Sequence, residues 1–252
     1  MEKDDKFLLS LAQDKMRQCE QRNILSCTFF LDMRQQSLLR EQFKRTTGVR
    51  YAFYGGYDAA ERCVLVFLPE YADLSMVDDI ACVRVQTAAA LPKPLTHRDY
   101  LGALMGIGLR REKIGDILVR ENGADILVCS DVKKYILSDF CQAGRAHFRA
   151  EEIPLSAIAV PPTQSQTKRN TVPSLRLDCM VSFAFSMSRG NACAYIDGGK
   201  VYVNGLQILK KDHKLSEGDK LVIRGKGKVI VKEIGGLSKK DRIFVEIEKF
   251  TS

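Results

Sequence analysis

The sequence predicts an α+β protein of three parts and one linker, on three observations. Between residues 77 and 156, apolar runs of strand length alternate with stretches of helical spacing. Residues 157–173 then shift to Pro161, Pro162 and Pro173 among Thr, Gln, Ser, Lys168 and Arg169, a linker composition. The charge changes at the same place. Residues 1–156 hold 22 Lys and Arg against 22 Asp and Glu, so the whole net charge of +8 falls in residues 157–252. Such asymmetry points to a polyanion partner for the last third, with a basic solubility surface as the plainer reading of charge alone.

The first part, 1–76, is a small α/β segment. Phe7, Leu8, Leu11, Met16 and Cys19 stand at helical spacing. Leu25–Leu31 is an apolar run suited to a buried strand. Asp32 with Gln35 three residues on makes a capping box for the next helix. Val49–Tyr54 and Cys63–Leu68 read as two strands about the turn Gly55-Gly56-Tyr57-Asp58.

The second part, 77–156, is read as Ile80–Val85 strand, Thr96–Leu109 helix, Asp116–Arg120 and Asp125–Cys129 strands, a helix to Cys141 and a last strand His147–Ile153. Thr96 and Asp99 cap the first helix, and Asn122-Gly123 marks the hairpin. The order β-α-β-β-α-β is the ferredoxin-like plan shared by RNA-recognition motifs. Those motifs stack bases on aromatics of the central strands. Here neither Ile80-Ala81-Cys82-Val83-Arg84-Val85 nor Asp125-Ile126-Leu127-Val128-Cys129 holds an aromatic, so the plan is expected without its usual RNA-binding face.

In the third part, 174–252, Leu175, Leu177, Met180 and Val181 give one face of a helix, and Ser188 caps a second that begins at Arg189 and ends at Gly198-Gly199. Strands follow at Lys200–Val203, Lys220–Arg224, Lys228–Ile234 and Arg242–Phe250, the last expected to complete the sheet. A helix start offers free N–H groups to phosphate, and Arg189 adds a planar fork of donors. Lys210, Lys211 and Lys214 are read as solvated surface charges.

Arg176-Leu177-Asp178, Ser188-Arg189-Gly190-Asn191-Ala192, Gly199-Lys200-Val201-x-Val203-Asn204-Gly205 and Leu215-x-x-Gly218-Asp219-x-Leu221 together resemble the alpha-L, or S-four, RNA-binding motif. The resemblance implies a helical face docked on RNA, with Arg176, Ser188, Arg189, Asn191 and Lys200 toward phosphate; Arg224, Lys226 and Lys228 add further contacts. Gly190 departs from the larger residue usual there.

Phe30-Leu31-Asp32-x-Arg34-Gln35-Gln36, Gly55-Gly56-Tyr57-x-x-Ala60-Glu61-Arg62 and the dense run His97–Ile117 extend the resemblance over nearly the whole chain, to the YlmH family of bacterial S-four proteins. That resemblance implies a cytoplasmic, non-catalytic protein on the large ribosomal subunit, binding ribosomal RNA and tRNA in ribosome quality control, with a link to cell division. Two other functions stay open: an RNA-modifying enzyme with an appended S-four domain, and a division-site adaptor.

Catalysis is not expected. His97 and Asp99, two apart on a helix, point to different faces. Capping accounts for Asp99. His97, Arg98, Arg110 and Arg111 are carried as a second RNA or protein contact, or as structural residues. Gly102, Gly106 and Gly108 lack the Lys-Ser/Thr of a phosphate loop and are read as close helix packing. The cysteines at 19, 27, 63, 82, 129, 141, 179 and 193 include no C-x-x-C pair and only three His accompany them, so no metal and no cofactor is expected. The charged start Met1-Glu2-Lys3-Asp4-Asp5 leads to no apolar signal stretch, and no run is long enough to span a membrane.

Overall fold

The computed structural model describes residues 3–44, 48–58, 60–87, 94–144, 146–160 and 165–250. The chain divides into two compact units, Met1–Pro161 and Pro162–Ser252.

The first unit runs α1 (Lys3–Arg22), β1 (Ser26–Cys27), α2 (Met33–Phe43), β2 (Arg50–Tyr54), β3 (Val64–Leu68), β4 (Ile80–Thr87), α3 (His97–Gly106), β5 (Ile114–Arg120), β6 (Gly123–Cys129), α4 (Lys133–Asp139), β7 (Gln142–Ala143) and β8 (Ala146–Ile153). Its strands form two antiparallel sheets, β1-β3-β2 and β5-β6-β4-β8-β7. The capping boxes expected at Asp32/Gln35 and Thr96/Asp99 are both formed.

Strand periodicity sorts the side chains into layers. Leu65 and Phe67 of β3 face Leu8, Ala12, Leu39 and Phe43 of α1 and α2. Val64, Val66 and Leu68 face the second sheet, at Ile80, Cys82, Leu127, Cys129 and Ile153. Ala124, Ile126 and Val128 of β6 face Tyr100, Leu104 and Ile136 of α3 and α4. The unit is therefore helix, sheet, sheet, helix, and β3 and β6 are buried at every position. The parts expected before and after residue 76 share one core here.

Three expectations change. The run Leu25–Leu31 keeps only Ser26–Cys27 and a bridge from Leu31 to Cys63 in the ladder. Between them Thr28 Oγ1 accepts from the Leu65 N–H at 2.9 Å and the Phe30 N–H turns to the Glu112 carbonyl at 3.0 Å. Gly102, Gly106 and Gly108 are not close-packed, since a Cβ at any of them would meet nothing within 4 Å; Gly108, at φ +93°, lies just past the end of α3. Within the run 97–117 the close approach is at Gly115, where a Cβ would lie 2.6 Å from the Phe30 ring and 2.9 Å from Leu127 Cβ.

The composition of 157–173 suggests a linker, yet most of what is described there is structured. Pro161 and Pro162 lie outside the described residues, as do Met1 and Glu2. Before them, the Ala157 carbonyl and Ala159 N–H bind Arg84 and Asp125 of the first unit. After them, Ser165–Val172 is β9, paired residue for residue with the last strand. The second unit continues with α5 (Leu177–Ala184), α6 (Arg189–Asp197), β10 (Val201–Val203), β11 (Leu206–Gln207), β12 (Lys220–Ile223), β13 (Gly227–Leu237) and β14 (Ile243–Phe250). The sheet order is β11-β10-β12-β13-β14-β9, so β14 is an inner strand and β9 closes the edge. Val201, Val203, Leu221, Ile223, Val229, Val231, Val245 and Ile247 face α5 and α6.

Two glycine substitutions test this packing. Gly115→Ala should destabilise the protein by about 1–3 kcal/mol, because the methyl group overpacks against Phe30 and Leu127. Gly102→Ala, on an open helical position, should stabilise it by about 0.5–1 kcal/mol. Urea unfolding of both variants measures the pair; a neutral Gly115→Ala would contradict the close approach.

Candidate nucleic-acid interface

The second unit gathers the cations of its motif into two groups at opposite ends of α6. The first is built on Asp178. That carboxylate lies in the first turn of α5 and is almost fully buried, its side chain 3% exposed. It accepts from Arg189 Nη2 and Nε at 2.6 and 3.0 Å, from Arg176 Nε and Nη2 at 3.3 Å each, and from the Cys179 N–H at 2.9 Å. Burial alone would raise its pKa. The hydrogen bonds from Arg176, Arg189 and Cys179 outweigh that and hold it down at about 2. Arg176 and Arg189 stay 40% and 60% exposed, so one buried anion aims two guanidinium groups at solvent. Arg176 is the N-cap position of α5 and Arg189 the first residue of α6. Ser188 Oγ caps α6 by accepting from the Asn191 N–H at 3.2 Å, and the Asn191 side chain is exposed beside it. A Cβ at Gly190 would meet only Ser188 Oγ, at 4.0 Å, so the helix entry is open.

The second group follows the far end of α6, about 12 Å along its axis at 1.5 Å per residue. Lys200 and Lys226 lie over the Tyr195 ring, 5.8 and 5.9 Å from its centroid, and Arg224 lies over Tyr202 at 4.8 Å. The backbone ties the group together: the Arg224 N–H donates to the Lys200 carbonyl at 3.1 Å. Lys228 stands one strand further on, over Phe250 at 4.5 Å. Of the lysines read as solvated, Lys211 forms an ion pair with Asp197 at 2.8 Å.

In the first unit the three family-like stretches converge on a seam between the two sheets. Asp116 accepts from the Tyr57 hydroxyl at 2.8 Å and from the Glu61 and Arg62 N–H groups at 2.7 and 3.1 Å. Burial, and then the Asp116 charge, push the Tyr57 phenol above its ordinary range, which keeps it a donor. Arg62 donates to the carbonyls of Ile114, Phe30 and Arg111 at 2.9, 3.0 and 3.4 Å. Arg111 donates to the same Ile114 carbonyl at 2.6 Å. Burial lowers the Arg111 pKa to about 10, helped by the Arg62 charge. His97, at the surface, is held below its ordinary pKa by desolvation and then by Arg111. Arg98 and Arg110 are exposed, Arg110 pairing with Glu112 at 3.1 Å. Arg111 is thus tied into the seam, while His97, Arg98 and Arg110 face solvent around the start of α3 and the turn before β5.

A family model described as "Putative RNA-binding domain in YlmH" matches residues 80–157. A curated relative, ribosome-associated protein quality control protein P2 of Bacillus subtilis (strain 168), is 34% identical over 251 residues, 98% of this chain and 96% of that protein. This chain belongs to the YlmH family. A solved structure, cell division protein ylmH from Streptococcus pneumoniae, aligns over 62% of this chain and 94% of its own with a TM-score of 0.50 at 23% identity, a likeness of fold.

In this YlmH-family chain, sequence reasoning missed Asp178, Tyr195 and Tyr202 as parts of the basic groups. An acid between two basic motif residues, and tyrosines near the lysines, were the available signals. It also missed Arg62 and Asp116 as the seam.

Asp178 makes a pH prediction. A carboxylate whose pKa is depressed on folding contributes stability that is full above its unfolded pKa and is lost as pH falls through the folded one. Unfolding free energy should therefore climb between about pH 2 and 4 from this residue, by about 2 kcal/mol. Asp178→Asn should remove that portion of the acid limb and lower stability at pH 7, as read by urea unfolding across pH. An unchanged acid limb would contradict the buried ion cluster.

Proposed function

We propose that this protein is a non-catalytic RNA-binding protein of ribosome quality control, holding structured ribosomal RNA or tRNA on the large ribosomal subunit through its second unit. The observation that carries the reading is the Asp178 cluster: Arg176 and Arg189, oriented by one buried carboxylate at the starts of two helices, within the part of the chain that holds all its excess charge. Guanidinium forks fixed in this way suit phosphate oxygens, and the start of α6 adds N–H donors, those of α5 being taken by the His213 and Lys211 carbonyls and by Asp178. Ser188 and Asn191 lie beside that cluster, and Lys200, Arg224, Lys226 and Lys228 add a second basic group beyond the far end of α6. The relative's name, with its reference to the ribosome and quality control, and the family model's description support the reading.

The architecture is read accordingly. The strand order β5-β6-β4-β8, all antiparallel, supports a ferredoxin-like middle domain with the short β7 added. The α5–α6 pair against the second unit's sheet supports an S-four domain. The middle sheet's strand face is covered, so RNA contact in this part falls to His97, Arg98 and Arg110 around the start of α3, with Arg111 behind them. Asp178 is poorly placed to act as a catalytic acid: two arginines and a backbone N–H occupy it, which leaves no open face for a substrate.

The experiment is sedimentation of ribosomal particles from cells carrying the tagged full chain, followed by mapping of crosslinked RNA. Co-sedimentation with large subunits is expected, with contacts on ribosomal RNA and tRNA. Release should be steep, at least about tenfold in affinity between about 50 and 200 mM salt, because several phosphates are engaged. Arg189→Gln should weaken association at every salt concentration. Migration free of ribosomal particles at low salt would sink the reading.

A further inference from the structure

We infer that the hairpin edge formed by Lys200, Tyr195, Tyr202 and the β12–β13 turn is a stacking site for an unpaired RNA nucleotide, separate from the phosphate grip at Asp178. The inference rests on the RNA-binding reading above and deepens it by naming the form of RNA this edge takes.

The cations here are arranged differently from those at Asp178. Arg224 lies 4.8 Å from the Tyr202 ring centroid, and Lys200 and Lys226 lie 5.8 and 5.9 Å from that of Tyr195. Among the described residues none of the three has a carboxylate partner. Their charge is therefore not neutralised within the protein and is available to a polyanion. All three side chains are exposed.

The rings are held in place by the fold. Tyr195 is on α6 and packs at the margin of the core. Tyr202 is the middle residue of β10, and its neighbours Val201 and Val203 are buried on the helix side, so strand alternation turns Tyr202 to the opposite face. On that face Tyr202, Val222, Lys228 and Phe250 form one cross-strand row. Rings set on a helix and a strand lose little freedom on binding.

The turn between the strands is nearly bare. Gly225 and Gly227 adopt φ +80° and +107°, and a Cβ at Gly225 would meet nothing within 4 Å. A nucleic-acid backbone can approach here as closely as glycine permits. Arg224 is the key group. Its planar guanidinium already lies over the Tyr202 ring, and a guanidinium plane or an aromatic ring takes an unstacked base face-on. A base inside a duplex has both faces covered by its neighbours and cannot use such a platform, whereas an unpaired nucleotide can. Point charges alone would give no preference for the unpaired form, since a duplex has the higher charge density.

The test measures fluorescence anisotropy of the full chain with an oligouridine of about 12 nucleotides and with an RNA duplex of about 12 base pairs. Tyr202→Leu keeps an apolar side chain and removes the ring. Arg224→Lys keeps the charge and removes the plane, and thermal unfolding checks that both variants fold. Each should weaken oligouridine binding about tenfold and duplex binding less than about twofold. Equal losses on the two probes, or no loss on either, would overturn the stacking site while leaving RNA binding intact. Failure of the unaltered chain to bind either probe would overturn both the stacking site and the proposed function.

Discussion

Leu127 points from β6 into the N-terminal sheet, while Ile126 and Val128 point the other way into α3 and α4. The middle sheet is thereby dry on both faces along its central strands. Phe30, Val64 and Val66 cover Cys82 and Leu127, and Gly115 lets the Phe30 ring lie directly on the sheet. Each such side chain contributes roughly 1.5–3 kcal/mol by leaving water. Uncovering the sheet would cost several of them together. Where the apolar patch ends, Asp125 is fully buried and closed over by Arg84, Arg120 and the Ala159 N–H. Burial works to raise the Asp125 pKa, but the Arg84 hydrogen bonds and the neighbouring cations outweigh it, so the carboxylate stays charged and pinned. A strand face that is sealed this way cannot stack bases, in keeping with the lack of aromatics on β4 and β6.

The same packing accounts for the dense run around Gly115 and Asp116. Asp116 and Arg62 join β5 to the loop after β2 through main-chain partners, so the charges serve the joint between sheets. Three buried thiols of this region, Cys63, Cys82 and Cys129, are pushed up to about 11, 12 and 11 by burial, which keeps them protonated and inert. The basic side chains left exposed are on the solvent side of α3 and in the second unit.

How much of this was legible in the sequence depended on range. The capping boxes at Asp32 and Thr96, the Asn122-Gly123 hairpin and the Ser188 cap are local signals, and each element formed where they stood. The strand Ser165–Val172 was illegible because its residues are polar and its partner β14 lies nearly eighty residues away. The motif resemblance brought Arg176, Arg189 and Lys200 into one set. The fold separates Lys200 from the other two and gives those two a shared counter-ion, Asp178, which the packing of α6 on α5 brings within reach of Arg189. The cover over the middle sheet was likewise a contact between distant segments, visible beforehand only as a missing aromatic.

The most direct test of this division is ultraviolet crosslinking of the full chain to RNA, with mass spectrometry of the peptide adducts. Adducts on peptides of the second unit, around Arg176–Asn191 and Tyr195–Lys228, with none on Ile80–Thr87 or Gly123–Cys129, are the predicted result. Adducts concentrated on those two strands would contradict it, because they would require the covered sheet face to open to RNA.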